Sequence, residues 1–365
     1  MAAVRITGLL TGLLLSGGAL AESASQAISD TTINSNAFNP SLGEQVVLTY
    51  TLAQPDTVSV RVYDPDGGLV STVLEGVEQA AGAQEISWDG LDIDSKVVPD
   101  EAYTFVVETT TGALYDPTTH SGGVVGDITE ARFNEDGTVL YNLPAAARTL
   151  IRLGVHNGPM LKTLVDWKPR VAGEITEYWD GYDEDNRYKL RGAKDFSALI
   201  TYVTLPDATV ITYGNKEETY RDYKLGRAQG RAQKPDRPRR SGAELELRPE
   251  GLVPPAWARS PRVDMTFPQL SGVEKDDVPE VQDAIDIHIS VNPDDLDHLL
   301  QDQFEIIFFL DNVFFAEAER GYLPLNWRWE LQQIPPGEHV LTANVSSFTG
   351  QVGVASRKIK IVRPQ

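Results

Sequence analysis

The chain repeats itself, and that constrains its fold more than any other feature. Tyr50-x-Leu52 returns as Tyr141-x-Leu143, and Leu69–Leu74 returns as Met160–Val165 with Thr72 matched by Thr163. Ala81-Gly82 returns as Ala172-Gly173, and Trp88-Asp89-Gly90 returns as Trp179-Asp180-Gly181. Asp92 and Asp94 fall on Asp183 and Asp185, and every pair lies 91 residues apart with no gap between Tyr50 and Asp94. So many turn-forming and aromatic residues at one offset mark a duplicated domain, and each copy must build its own core.

Inside a copy the pattern is strand after strand. Val46–Leu52 and Val58–Tyr63 alternate in polarity, the period of a half-buried strand. Asp64-Pro65-Asp66-Gly67 then turns the chain into Leu69–Leu74, because proline fixes φ and glycine accepts a positive one. Glu85–Trp88, an acidic turn over Asp89–Asp94, and Tyr103–Glu108 complete the copy.

A third strand series occupies residues 284–365. Ile285, Ile287, Ile289 and Val291 alternate with Asp286, His288 and Ser290. Asn292-Pro293-Asp294-Asp295 supplies an N-cap, a first-turn proline and carboxylates at the positive end of the dipole, which predicts a short helix to about Asp302. Phe304–Leu310 and Val313–Ala316 flank Asp311-Asn312, the signature of a tight hairpin.

The first copy resembles a known family. Phe38-Asn39-Pro40, Tyr50-x-Leu52, Val60-x-Val62-Tyr63-Asp64, Leu69-Val70-x-Thr72-Val73-Leu74, Ala81-Gly82 and Trp88-Asp89-Gly90-x-Asp92 are similar to the immunoglobulin-like domain of the flagellar hook-capping protein. The resemblance covers residues 33–110 and, less fully, 128–213. It implies a two-layered sandwich and a habit of docking, and no activity. Two departures stand out: the family places glycine just before the aromatic of its last strand, where this chain has Glu101-Ala102-Tyr103, and the second copy is stretched from Arg187 to Phe196. The end of the chain, with Trp327-Arg328-Trp329, Pro336-Gly337 and His339-x-Leu341-x-Ala343, is similar to bacterial immunoglobulin-like surface domains. The expected fold is all-β, three tandem immunoglobulin-like β-sandwiches: 33–112, 128–214 and 263–365, with a basic, proline-rich linker over 215–262.

Residues 1–21 read as a signal peptide. Arg5 precedes the apolar run Ile6–Leu15, and Ala19-Leu20-Ala21 has the small-x-small cleavage pattern. That run is shorter than the ~20 residues needed to span a bilayer, and no other segment qualifies. The expected location is outside the cytoplasm, either periplasmic or at the cell surface. The chain has no cysteine, which excludes disulfides, thiolate metal sites and lipid-modified cysteine. Stability after export must therefore come from hydrophobic cores.

Charge is unevenly placed. The formal net is −21, yet residues 216–262 hold 12 Lys/Arg against 7 Asp/Glu, while residues 264–305 hold 12 acids and one lysine. A surface so acidic repels nucleic acid and anionic membranes. Adjacent blocks of opposite sign predict that the linker lies against the third domain or reaches an acidic partner. Arg231, Lys234, Arg237, Arg239 and Arg240 are the candidate partner-binding residues, with other envelope or extracellular proteins as the partners.

Catalytic constellations are missing from the sequence: it contains no HExxH, no GxSxG, no phosphate-binding glycine loop and no dinucleotide fingerprint. The expectation is a protein without catalytic residues or cofactor. Asp89, Asp92 and Asp94, with Asp180, Asp183 and Asp185, have oxygen ligands at a spacing that suits calcium. The same residues also build turns by bonding nearby backbone N–H groups, and that reading is preferred. Trp327 and Trp329 share one strand face, so they are either a sugar-stacking platform or sandwich core, and core is preferred. The expected function is a docking or spacer subunit of an envelope or extracellular assembly, with a carbohydrate-binding accessory module as the alternative.

Overall fold

A computed structural model describes residues 27–230, 256–270, 272–301 and 303–363. The expected signal peptide lies outside the described residues. Alternating polarity folds each copy into two facing sheets. In the first sandwich, Ile28–Ile33, Val46–Leu52 and Gly82–Trp88 form one sheet. The other orders Ala37–Phe38, Val210–Thr212, Ala102–Thr109, Asp56–Tyr63 and Leu69–Gln79. The second sandwich sets Arg132–Phe133, Thr138–Leu143 and Gly173–Tyr178 against Met160–Arg170, Ala147–Val155, Phe196–Thr204 and Val125–Asp127. The third sets Val263–Thr266, Ala284–Val291 and Leu325–Glu330 against a five-stranded sheet ordered Glu280–Val281, Val352–Ile361, Gly337–Ser347, Phe304–Leu310 and Val313–Ala318.

Strand register repeats with the sequence. Tyr50 sits opposite Gln84 and Tyr141 opposite Ile175, while Arg61 sits opposite Thr72 and Arg152 opposite Thr163. Side chains alternate across a strand, so a conserved register returns the same positions to the core. Trp88 centres the first core, 5.7 Å from the Phe38 ring and 5.5 Å from Tyr103. Trp179 centres the second, 6.1 Å from Phe133 and 5.5 Å from Phe196. Each indole N–H donates into its own turn, to Leu91 O at 3.0 Å and to Tyr182 O at 2.8 Å. The stretched segment before Phe196 delays the last strand: Arg61 faces Val106, but Arg152 faces Leu199. Phe196 thereby takes the place that Tyr103 holds against its tryptophan.

The chain then returns to its first sandwich. Val210–Thr212, which the sequence reading includes in the second unit, pairs antiparallel with Ala102–Thr109 and parallel with Ala37–Phe38. Ile211 N donates to Asn36 O at 2.9 Å, and all three residues are buried. Hydrophobic pattern marks a strand but not the sheet that accepts it. The expected linker also begins with regular structure, a helix over Tyr220–Gly230. Thr219 caps it, accepting from Asp222 N at 3.2 Å and donating to the Asp222 carboxylate at 2.7 Å. The helix precedes every proline in the segment, so nothing interrupts it.

In the third sandwich the predicted helix forms over Pro293–Gln301, with Asn292 Oδ1 accepting from Asp294 N at 3.0 Å. Trp329 is buried and Trp327 half-buried, and both pack on Phe315 at 4.8 and 5.7 Å between ring centroids. They are core.

Candidate functional site

The polar chemistry of the molecule gathers where its units meet. Between the first two sandwiches, Arg148 Nη2 lies 2.5 Å from Glu101 Oε1 with both side chains almost wholly buried. Glu101 Oε1 also accepts from Ala102 N at 2.7 Å, and Arg148 Nη1 donates to Trp167 O at 2.8 Å. Burial pushes the Glu101 carboxyl up, against the pull of Arg148. Glu101 stands in the stretch where the resembled family carries glycine, so that departure now has a use.

The Tyr220–Gly230 helix docks on two turns of the first sandwich. Lys224 Nζ reaches Asp64 Oδ2 at 2.9 Å, Tyr220 OH donates to Asp66 Oδ2 at 2.8 Å, and Tyr223 OH donates to Asp92 Oδ2 at 3.3 Å. Burial raises the Asp64 carboxyl, with Lys224 opposing. Burial, with Asp64 and Asp66 nearby, drives the Tyr220 phenol far above its ordinary range.

From that helix and the segment after residue 255, three arginines converge on Asp295 in the third sandwich. Arg259 Nε lies 2.7 Å from Oδ1, Arg262 Nε 2.8 Å from Oδ2, and Arg221 Nη2 3.5 Å from Oδ1. Arg221, Arg259 and Arg262 thus lie against the acidic block, while the rest of the helix docks on the first sandwich. Second and third sandwiches meet through Met160, whose N–H donates to Asn344 Oδ1 at 3.0 Å while its carbonyl accepts from Asn344 Nδ2 at 2.8 Å. Ser356 N donates to Asp185 Oδ2 at 2.7 Å, and Lys275 pairs with the same carboxylate. Where the units come together is a cavity of about 520 Å³, lined among others by Asp166, Lys168, Trp257 and Arg259.

The acidic turns do the same local work in both copies. Asp89 Oδ1 accepts from Leu91 N and Asp180 Oδ1 from Tyr182 N, each at 3.0 Å. Asp92 Oδ1 accepts from Asp94 N at 2.8 Å and Lys96 N at 3.0 Å, and Asp183 Oδ1 from Arg187 N at 2.6 Å and Tyr188 N at 3.0 Å. These are self-bonded turns, and another element docks on each: Tyr223 of the helix on one, Ser356 of the third sandwich on the other. Among the described residues no three His, Cys, Asp or Glu side chains are grouped to hold a metal ion. No helix among them is long and apolar enough to cross a membrane.

Arg231, Lys234, Arg237, Arg239 and Arg240 lie outside the described residues. The structure instead pairs Glu101 with Arg148 at one junction and sets Arg221 and Arg259 on Asp295 at another. In the sequence, the switch from a basic to an acidic block points toward Arg221 and Arg259 and the departure at Glu101 toward the first pair, while nothing marks Arg148.

Together these features define an all-β array of tandem immunoglobulin-like sandwiches. Residues 35–113 match the family model of the FlgD Ig-like domain. No curated protein matches the chain. Among solved structures, the chain is similar to the endo-beta-1,4-mannanase from Thermotoga petrophila, at 18% identity over 29% of this chain and 20% of that one, with a TM-score of 0.22. It thus spans about a fifth of that enzyme's length. It is also similar to a Ca2+-stabilized adhesin of an Antarctic bacterium that binds ice, at 10% identity over 92% of this chain and 74% of that one, with a TM-score of 0.18. A central fibronectin-III array of RIM-binding protein aligns at 10% identity over 91% of this chain and 96% of that one, TM-score 0.18.

Proposed function

We propose that this protein is an exported, non-catalytic docking or spacer subunit of a cell-envelope or extracellular assembly. The observation that carries this reading is how buried charge is used: Glu101–Arg148, and Asp295 with Arg221, Arg259 and Arg262, join one unit to the next. Breaking a buried pair by removing one partner is costly, so such contacts hold units in a set relation. Catalysis would call for perturbed acids and bases converging on an open pocket, whereas these carboxylates are closed off against cations and backbone donors. Residues 1–21, read as a signal peptide, support export.

The test is purification of the untagged native protein from envelope fractions after mild crosslinking. A reproducible stoichiometric partner is expected. A lone monomer in every fraction, crosslinked to nothing, would overturn the proposal.

A further inference from the structure

Two side chains, Lys162 and Tyr178, set the second copy apart from the first beyond what its turns require. In the second sandwich a shallow, open depression of about 420 Å³ is lined by Asp136, Gly137, Lys162, Tyr178, Trp179 and Asp180. At the corresponding positions of the first copy stand Gln45, Val46, Ser71, Ser87, Trp88 and Asp89. The pair that builds the fold, tryptophan and the turn aspartate, is kept, and the other four positions are changed. Gly137, at φ +95°, and Asp136, whose Oδ1 accepts from Thr138 N, close the turn into Thr138–Leu143, where the first copy has Gln45 and a wholly buried Val46. Tyr178 replaces a serine and is 75% exposed at the end of the Gly173–Tyr178 strand, opposite Thr138.

We infer that this depression is a carbohydrate-binding site for a neutral oligosaccharide, with Tyr178 as its stacking platform. An aromatic ring left mostly in water on a sandwich surface loses apolar burial unless something covers it. The flat C–H face of a pyranose is such a cover, and its hydroxyls need polar partners around the ring. Those partners are present. Asp136 is held ionised by Thr138, whose N–H and hydroxyl both bond its Oδ1 at 2.9 and 2.7 Å. Asp180 Oδ1 is anchored by Tyr182 N, which fixes the carboxylate's orientation. Both can accept from sugar hydroxyls, and Lys162, whose ammonium is 3.7 Å from Glu184, can donate. A lining with two carboxylates and one lysine disfavours anionic glycans and leaves neutral ones. The site is separate from the junctions and independent of the docking role.

The experiment uses the purified full chain in affinity electrophoresis and calorimetry with cellohexaose, mannohexaose and N-acetylated chitohexaose. At least one is expected to bind. Tyr178→Ala should weaken that binding about tenfold, the scale of one lost aromatic contact, while Tyr178→Phe should hold it within about twofold. Lys162→Ser, the residue of the first copy, should weaken it as well. Tyr178 is exposed, so unchanged circular dichroism and melting are expected for its two variants; Lys162 is half-buried, and its variant is compared at matched folded fraction. Failure of all three sugars to bind, or binding by Tyr178→Ala as tight as by the parent, would overturn the inference.

Discussion

The Glu101 carboxylate and the Arg148 guanidinium meet at 2.5 Å across the boundary between two sandwiches, and their side chains are 3% and 9% exposed. Glu101 stands just before the Ala102–Thr109 strand of one unit, and Arg148 at the start of a central strand of the next. Arg148→Met keeps the bulk and removes the charge, leaving Glu101 buried without its counter-ion. A loss of about 3–5 kcal/mol in urea unfolding at neutral pH is expected. The double variant Glu101→Gln/Arg148→Met should recover much of that loss. A single variant as stable as the parent would show that the pair does not couple the units.

Val210–Thr212 belongs to the first sandwich although it follows the second in sequence. Ile211→Pro abolishes the N–H that Asn36 O accepts at 2.9 Å. The expected cost is about 1–3 kcal/mol, from one lost hydrogen bond and a ladder disrupted by the proline ring. Hydrogen exchange should locate the loss in Ala102–Thr109 and not in Phe196–Thr204. Loss of protection confined to the second sandwich would contradict the topology.

Asp295 joins three cations and is itself 2% exposed at the side chain. Burial alone would raise its carboxyl; hydrogen bonds from Arg262 and Arg259 outweigh burial and hold it below the ordinary value. Its contribution is therefore present above the unfolded value and lost as pH falls through the lower folded one. Asp295→Asn should cost about 3 kcal/mol, near the low end for a broken buried pair because Arg259 and Arg262 keep some solvent. Limited proteolysis should then cut faster around Arg259 and Arg262. Unaltered cleavage would mean the arginines hold their places without it.

His339 bridges the hairpin and the turn of the third sandwich, with Nδ1 2.6 Å from Asp311 Oδ2 and Nε2 2.8 Å from Pro335 O. Both neighbours are acceptors, so the doubly protonated ring fits them. Burial opposes that charge, but the bonds to Asp311 and Pro335 O prevail and raise its pKa. A raised folded value means the stabilisation is complete below about 6.5 and disappears as pH climbs through the folded value. The melting temperature of the third sandwich should fall over that interval, and His339→Gln should flatten the dependence. A parent profile that is flat from about pH 6 to 9 would dispose of this assignment.

Both tandem copies are legible in the sequence, because their signals are local. Alternating polarity, a proline-glycine turn and an aspartate bonding the N–H two residues on all act over a few residues of chain. The helix at Asn292-Pro293-Asp294-Asp295 was readable for the same reason. The Asp89–Asp94 and Asp180–Asp185 turns were assigned correctly to self-bonding, while their second use as docking points was not visible.

The amino-acid sequence by itself determined the duplicated unit, its strands and turns, and the tryptophan at the centre of each copy. Tertiary structure alone decided which sheet took Val210–Thr212, which carboxylate the linker arginines found, and which copy left a tyrosine in solvent. Thr212 Oγ1 and Glu101 N bond at 3.0 Å across 111 residues of chain. Such a contact depends on where two sheet edges come to rest, and no short-range pattern records that.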